Sequence, residues 1–302
     1  AQGYSKGYAG ALAAVSGTLG AIIPPSIVMI IYAIAAEVSV TDMFISGFFP
    51  GIMIALILII VNTVYSVVTH VDAVDKNARF SWKEVGQTFW DAKWALLTPV
   101  IILGGIYSGI FRATECAVVA AVYSLIVGFF LHKELTFKSL ITILGKTCRT
   151  VGAVLIIVPM AIALGKLLTL SMAPVYIGQW AVSLTDNPNI IILIVVFLVF
   201  IAGMFMDSGP IILIMTPLFL PTLKNMGVSP IHFGIILTVG SMLAAVTPPV
   251  GVNLYIGQGI AKAETVPIMK FAFMLIGILL VTYIFIALNP WISLFAMNLL
   301  GA

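Results

Sequence analysis

The chain has 302 residues, of which 62% are hydrophobic and 8% are charged, and its formal net charge is +3. Soluble globular domains carry about 25% charged residues, so this composition excludes a soluble domain, and the small, scattered positive charge argues against nucleic-acid binding. Apolar runs at 43–68 and 268–288 exceed the roughly 20 residues that a helix needs to cross a bilayer. The sequence therefore predicts an all-α polytopic membrane protein embedded in a lipid bilayer.

Two segments, 17–26 and 241–251, resemble each other, and each holds a Pro-Pro pair inside an apolar stretch. The pairs are offset by 224 residues, the difference between positions 248 and 24, and the same offset aligns Ser5 with Ser229. Proline removes a backbone donor and clashes with the preceding turn, so both membrane helices are predicted to break. Paired broken helices in two halves of a membrane protein indicate a transporter substrate site.

The positions of Lys and Arg predict the orientation, because cytoplasmic loops are enriched in them. Lys6 places the start of the first broken helix inside, and after this helix runs outward the span 43–68 returns to a basic loop. Two short spans, 94–110 and 114–131, lead from there to a second basic loop, 133–149. Both basic loops are therefore predicted to be cytoplasmic.

Part of the first basic region, 80–93, is predicted to be an amphipathic helix lying along the membrane surface. Ser81 and Glu84 have the spacing of a capping box, and apolar residues recur at helical spacing after them: Trp82, Val85 and Phe89. The alternative is a connector that only anchors the chain.

A breaker-rich segment, 207–210, follows the apolar run 190–206 and precedes a short run, 211–220. Pro217 and Pro221 are expected to end the short run. The pattern predicts a re-entrant helical hairpin that enters and leaves from the outside, with its tip at 207–210. Such non-helical backbone is tolerated at membrane depth only inside the protein or beside a wet cavity.

The other segments of the second half alternate across the membrane. Span 151–170 runs outward to an outside loop, 171–189, which has no Lys or Arg; 232–260 runs inward with a break at 247–251, and 268–288 returns outward. The first broken helix thus runs from inside to outside and the second from outside to inside. The sequence predicts inverted repeats.

The helix breaks supply the expected chemistry, because free amides at a break favour an anion and free carbonyls coordinate a cation such as Na⁺. Oxygen-bearing side chains lie at the breaks and the tip: Ser26, Asp207, Ser208 and Thr247. We expect Na⁺ between the tip and the second break, at Ser208 and Thr247. We expect the substrate carboxylate between the two broken helices, without a dedicated Arg.

Asp207 is the most informative acid, since a carboxylate at membrane depth is unfavourable and indicates function. The alternative is that it caps the helix that follows. Arg112 with Glu115 is expected to form a structural ion pair, Lys166 to reach the interface, and His232 to be hydrogen-bonded or solvated. No P-loop, GxSxG, HExxH or Cys/His set occurs, so neither an enzyme nor an ATPase is expected.

Five runs follow one another along nearly the whole chain: GYSKGYAGALAAVSGTLGAIIPPSIVMIIYA, FISGFFPGIMIA, GGIYSGIFRATECAVVAAVYSLIVG, GMFMDSGPIILIMTPLFLP and GVSPIHFGIILTVGSMLAAVTPPVGVNLYI. Together they resemble the large membrane subunit of tripartite ATP-independent periplasmic (TRAP) transporters. The resemblance implies an elevator-type fold of the ion transporter superfamily in the bacterial inner membrane. It also implies a small Q-type membrane subunit and a periplasmic substrate-binding protein as partners. The implied activity is Na⁺-driven import of an organic acid, of the C4-dicarboxylate or sialic acid class.

The resemblance also carries over site residues. The substrate-binding positions are Ser26, Asp207, Ser208, Gly209 and Pro249, and the Na⁺ positions are Gly20, Pro24, Ser26, Asp207, Ser208, Thr247 and Gly251. The rivals are a stand-alone Na⁺/carboxylate symporter and a channel-like membrane subunit.

Four parts are expected in the chain. Residues 1–42 are the first broken-helix part of the transport domain, 43–150 are scaffold spans with the surface helix, 151–261 are the second repeat, and 262–302 are a C-terminal scaffold span. The family carries a first hairpin upstream of the first broken helix. We therefore expect the functional protein to carry roughly a hundred or more additional N-terminal residues, and 1–302 alone not to transport.

Overall fold

The computed structural model describes residues 4–71, 81–185 and 187–300, and every regular element in those ranges is helical. The helices are α1 (Lys6–Gly17), α2 (Leu19–Ile22), α3 (Ile27–Ala36), α4 (Val40–Thr69), α5 (Trp82–Tyr107), α6 (Ala113–Ile126), the π-helical turn Val127–Leu131, α7 (Phe137–Leu170), α8 (Ala173–Leu184), α9 (Pro188–Gly203), α10 (Ser208–Asn225), α11 (Pro230–Ala244), α12 (Val252–Ala261), α13 (Thr265–Leu288) and α14 (Pro290–Leu300). Four helices in the described ranges are long and apolar enough to cross a membrane, and the bent α1–α3 pair makes a fifth if counted as one span. The all-α polytopic prediction is confirmed.

The chain divides into two compact units, one formed by Ala1–Ala73 with Val158–Ala302 and the other by Val74–Ile157. Both broken helices and the hairpin lie in the first unit. In the second unit α5 packs on α6, and the Tyr123 hydroxyl donates to the Trp94 carbonyl oxygen at 2.8 Å. The expected four-part division of the chain stays a prediction.

The first repeat breaks where the prolines predicted. Helix α1 is followed by the short α2 and then, beyond Pro24-Pro25, by α3, with a bend of 43° between the two arms. The second repeat breaks between α11 and α12, which flank Pro248-Pro249, and both Pro-Pro peptide bonds are cis. Ser5 and Ser229 occupy the N-cap positions of α1 and α11, so the sequence repeat is also a structural one.

The two broken helices run in opposite directions. Gly10 of α1 lies against Gly257 and Ala261 in the second half of α12. Gly17, about two turns further along α1, lines a cavity with Asn253 at the start of α12. Helix α1 is therefore antiparallel to α12.

The other two arms show the same relation. Tyr32, in the middle of α3, donates from its hydroxyl to the carbonyl oxygen of Pro230 at the start of α11, at 2.5 Å. Ala21, which precedes α3, lines a cavity with Ala245 at the end of α11, so α3 is antiparallel to α11. The first arm of each broken helix thus packs against the second arm of the other broken helix, α1 on α12 and α11 on α3. Each first arm also packs on the span that follows its partner arm in the chain, α1 on α13 and α11 on α4. This exchange is the packing that inverted repeats require.

Three expected boundaries are wrong. The surface helix 80–93 and the span 94–110 form one continuous helix, α5, as far as the structure describes them, because no Gly or Pro occurs from 87 to 98 to break it. The expected outside loop 171–189 contains α8, which begins with Pro174 in its first turn, where proline is tolerated. Most of the second basic loop is also helical, since α7 begins at Phe137.

The hairpin is present, but its tip lies earlier than expected. Helix α9 ends at Gly203, and Ser208 to Pro210 form the first turn of α10, so the turn itself is 204–207. Helix α10 continues through Pro217 and Pro221 to Asn225 instead of ending there. Packing of α10 on α3, α8, α9 and α11 compensates for the backbone hydrogen bonds that the prolines remove.

Candidate functional site

A cavity of about 310 Å³ lies where the two helix breaks and the hairpin tip meet. The first break contributes Gly17, Gly20 and Ala21, the tip contributes 205–207, and the second break contributes 250–253 among others. The convergence of three non-helical segments on one cavity matches the arrangement that the repeat pattern predicted. All three belong to the same compact unit.

The hairpin tip is attached to the second break. The backbone N–H of Val250 donates to the carbonyl oxygen of Met204 at 3.2 Å. A Cβ added to the preceding residue, Gly203, would collide with the Cβ of Ala244, so α9 approaches the end of α11 closely. The tip and the second broken helix therefore form one wall of the cavity.

The second break directs carbonyl oxygens toward a glycine. Gly251 has φ +46°, a left-handed conformation that glycine adopts without steric penalty. The carbonyl oxygens of Val246 and Thr247 both lie 3.5 Å from the place where a Cβ on Gly251 would stand. The break is closed by the Asn253 N–H, which donates to the Ala245 carbonyl at 3.3 Å. A cation beside Gly251 would meet these two carbonyl oxygens, with the Cβ of Leu254 as the nearest side-chain atom, 3.4 Å from the same place.

At the first break the Ser26 side chain hydrogen-bonds to backbone groups. Its buried hydroxyl donates to the Ala21 carbonyl at 2.5 Å and accepts from the Met29 N–H at 3.3 Å. Ser26 is thus the N-cap of α3 and also bridges the break to α2. Its hydroxyl is occupied, while Gly20 reaches the cavity with backbone alone.

Three oxygen-bearing residues lie at the tip and the second break. Asp207 is exposed, lines the cavity, and makes no capping bond from its side chain although it holds the N-cap position of α10. Ser208 is 2% exposed, and its hydroxyl has no hydrogen-bond partner in the part of the chain that the structure describes. Thr247 is 3% exposed and donates to the Leu243 carbonyl at 3.2 Å, which leaves its oxygen lone pairs free.

Of the site residues expected from sequence, three line the cavity: Gly20, Asp207 and Gly251. The others lie next to it in the chain without lining it: Pro24, Ser26, Ser208, Gly209, Thr247 and Pro249. The sequence pattern does not predict Asn253 or the apolar lining by Phe205, Met206 and Met242. Asn253 could have been found, because it is a polar residue two positions after Gly251 in an otherwise apolar run.

The other ionisable candidates lie outside the cavity. No Lys or Arg is among its described lining residues. Glu115 accepts from the backbone N–H of Arg112 at 2.9 Å and so caps α6. His232 is buried, with Nδ1 at 3.0 Å from the Ser293 hydroxyl and Nε2 at 3.0 Å from the Ala287 carbonyl, which confirms the expectation of a satisfied histidine.

Known proteins are similar to this chain in sequence. Residues 1–292 match the family described as "Tripartite ATP-independent periplasmic transporter, DctM component". The C4-dicarboxylate TRAP transporter large permease protein DctM of Pseudomonas aeruginosa is 37% identical over 300 residues, which are 99% of this chain and 70% of that protein. The chain belongs to the DctM family. This confirms the resemblance found in the sequence and the expectation of a multi-pass transporter subunit rather than an enzyme.

Other DctM relatives are longer than this chain. The isethionate TRAP transporter permease protein DctMQ of Oleidesulfovibrio alaskensis is 36% identical over 296 residues, 97% of this chain and 46% of its own length. The sialic acid TRAP transporter permease protein SiaT of Haemophilus influenzae is 30% identical over 298 residues, 99% of this chain and 48% of its own length. The chain thus spans about half the length of these two relatives.

Proposed function

We propose that this DctM-family chain forms the substrate-translocating part of a Na⁺-coupled importer of a small organic acid. The proposal places the protein in the bacterial inner membrane beside a small Q-type subunit, with substrate delivered by a periplasmic binding protein. The observation that carries it is the cavity between the two antiparallel broken helices and the hairpin tip. A transporter that presents one site alternately to two sides needs such a site at the junction of its inverted halves.

The residues present fit Na⁺. A buried hydroxyl without a partner, such as that of Ser208, costs about 1–3 kcal/mol, and a bound cation would remove that cost. Thr247 and the carbonyls that face Gly251 add further neutral oxygens. No cluster of three or more His, Cys, Asp or Glu occurs among the described residues, so the donor set suits an alkali cation held by hydroxyl and carbonyl oxygens.

The same cavity is proposed to bind the substrate carboxylate. With no basic side chain among the described lining residues, the anion would be held by backbone amides at the breaks and by neutral polar groups. Na⁺ bound near the tip would add positive charge beside it, which couples the binding of ion and substrate.

The proposed transport step is an elevator movement. The hairpin and both broken helices lie in one compact unit and pack on one another, and the bond between Val250 and Met204 joins the tip to the second break. Such a body could carry its cavity across the membrane with little internal change.

Uptake into proteoliposomes tests this function. The full-length protein with its partner subunits should accumulate organic acid only with an inward Na⁺ gradient and with binding protein present, and replacing Na⁺ by K⁺ should abolish uptake. Uptake without the binding protein would favour the stand-alone symporter. Conduction that does not saturate would favour the channel-like subunit, and equal uptake in K⁺ would contradict Na⁺ coupling.

A further inference from the structure

A second cavity, of about 420 Å³, lies between the ends of α3 and α7, the start of α8 and the second half of α10. We call it the α8–α10 cavity. No described lining residue is common to it and the candidate cavity, and its described lining belongs to the first compact unit. At Pro221 it adjoins another separate cavity, of about 630 Å³, which Asn225 lines.

The backbone around the α8–α10 cavity is poor in hydrogen-bond donors. Three of its lining residues are prolines, Pro174, Pro217 and Pro221, which have no N–H. Pro217 and Pro221 cannot donate to the carbonyls of Leu213 and Pro217, one helical turn earlier. The Leu213 carbonyl oxygen lies 4.0 Å from the place where a Cβ on Gly165 of α7 would stand. The prolines thus leave carbonyl acceptors beside the cavity without their usual helical donors.

The side chains of this cavity add further acceptors. Glu37, at the C-cap of α3, is exposed and is the only charged residue in the described lining. The Thr169 hydroxyl donates to the Gly165 carbonyl at 2.9 Å, so its oxygen can accept. Thr216 is 1% exposed, and its hydroxyl has no partner in the described parts of the chain. No Lys, Arg, His, Asn, Gln or Trp supplies a donor among the described lining residues.

A ligand group that only donates hydrogen bonds fits such a lining. A primary ammonium offers three donors and no acceptor, and its charge is attracted by that of Glu37. A carboxylate only accepts and would be repelled by Glu37, so an organic acid does not suit this cavity. The other described lining is apolar and suits a short carbon chain: Ala35, Ala36, Met172, Val175 and Leu220.

We infer that the α8–α10 cavity is a second ligand site, which binds a primary ammonium group carried on a short apolar body. Glu37 pairs with the ammonium charge, the Thr216 hydroxyl and the Pro217 carbonyl accept from it, and Met172 and Leu220 contact the carbon chain. A free alkylamine and the ethanolamine headgroup of a membrane lipid both present this chemistry. The inference goes beyond the proposed function and does not rest on it, because binding is measured without transport.

Four probes with one six-carbon chain test the site: hexylammonium, trimethylhexylammonium, hexan-1-ol and hexanoate. The reporter is Ala36→Cys in the full-length complex lacking Cys148 and any other exposed cysteine, since Ala36 lines this cavity. The rate of thiol labelling is measured against probe concentration in detergent without lipid. Hexylammonium should protect at about tenfold lower concentration than trimethylhexylammonium or hexan-1-ol, because only hexylammonium has both the charge and three donors. Hexanoate should leave the labelling rate unchanged.

Substitutions of the polar lining locate the bound ammonium. Glu37→Gln keeps the side-chain size and removes the charge, so it should raise the half-protecting hexylammonium concentration by about tenfold. Glu264→Gln is the matched control and should leave it unchanged, because Glu264 is an exposed carboxylate at the N-cap of α13, outside this cavity. Thr216→Val removes the hydroxyl at nearly constant volume and should raise the concentration by about threefold. Melting curves without probe verify folding, and Thr216→Val tests the site on its own if Glu37→Gln unfolds.

Three results would overturn the inference. They are protection by hexan-1-ol or hexanoate at the same concentration as hexylammonium, equal protection of a cysteine at Ala21 in the candidate cavity, and unchanged protection in folded Glu37→Gln and Thr216→Val proteins. The source of the ammonium is identified in bilayers without added amine. Slower labelling in phosphatidylethanolamine than in phosphatidylcholine would assign the site to the lipid headgroup, and equal labelling would assign it to a free amine.

Discussion

Two buried hydroxyls at the tip and the second break are the residues on which Na⁺ coupling is expected to depend. The Ser208 hydroxyl has no hydrogen-bond partner within the described residues. The Thr247 hydroxyl donates its proton to the Leu243 carbonyl, and its oxygen remains available to a cation. Ser208→Ala and Thr247→Val should each raise the Na⁺ concentration for half-maximal uptake by about tenfold, because one ligand to a charged ion is lost. The measurement is initial uptake against Na⁺ concentration in proteoliposomes.

Thr238→Val is the control for this pair. Thr238 is also buried in the second broken helix and its hydroxyl also lacks a partner in the described structure, but it lies inside α11, well before the helix ends at Ala244. Its Na⁺ dependence should stay at the wild-type value. Unchanged Na⁺ dependence in folded Ser208→Ala and Thr247→Val proteins would refute the assignment.

The account also predicts which charged residues do not touch substrate. Lys166 and Arg112 are exposed and line no wall of the candidate cavity. Lys166→Gln and Arg112→Gln should therefore leave the half-saturating substrate concentration within about twofold of wild type, since surface charges contribute little. A substrate-specific loss of affinity in either variant would show that the carboxylate binds elsewhere.

At the scale of single residues, the sequence predicts the positions of the helix breaks better than the side chains that line the cavity. Proline restricts backbone geometry directly, so the Pro-Pro pairs and the breaker-rich segment next to Asp207 predict where helices end, whereas Gly20 and Gly251 are site residues implied by the resemblance to the family. Ser26 has a hydroxyl of the right kind, but its local bonds to Ala21 and Met29 use it. Such competition between a ligand and the neighbouring backbone is decided by distances that a sequence does not contain.

At the scale of elements, the close approach of α1 and α12 holds the inverted arms together. A Cβ on Gly257 would overlap the Gly10 carbonyl oxygen, which is backbone and has little room to move. Gly257→Ala should therefore lower stability by about 1–3 kcal/mol and reduce the melting temperature of the purified protein. Uptake by this variant should fall because less of the protein is folded.

Gly259→Ala, two residues along the same helix, provides the comparison. A Cβ there meets nothing within 4 Å, and alanine in a helix interior is favoured over glycine by about 0.5–1 kcal/mol. Equal melting temperatures for the two variants would contradict the tight α1–α12 contact.

The helix boundaries show where sequence reasoning fails. Charge placement separated 80–93 from 94–110, yet α5 runs through both because charges on a helix face do not end a helix. Pro217 and Pro221 were expected to end α10, but its neighbours stabilise it through both. Tertiary packing overrides local helix breakers, and packing partners distant in sequence are not visible in a local pattern.

At the scale of the whole molecule, the inverted repeat predicts opposite exposure of equivalent positions. Glu37 and Lys262 both follow the second arm of a broken helix and both adopt the left-handed conformation, with φ of 55° and 48°. In a Cys148→Ser background, Glu37→Cys should react with a membrane-impermeant thiol reagent in intact cells, and Lys262→Cys only after permeabilisation. Labelling of both from the same side would contradict inverted topology in the membrane.

The central claim is that both breaks and the hairpin tip face one substrate. Single cysteines at Ala21, Phe205 and Ala245, one on each of the three segments that line the cavity, test it most directly in the full-length protein lacking Cys148. Substrate with Na⁺ should slow thiol labelling at all three positions, while a cysteine at Asn225, in the separate cavity, should label at an unchanged rate. Protection of only one segment, or equal protection by substrate without Na⁺, would contradict a shared, Na⁺-coupled site.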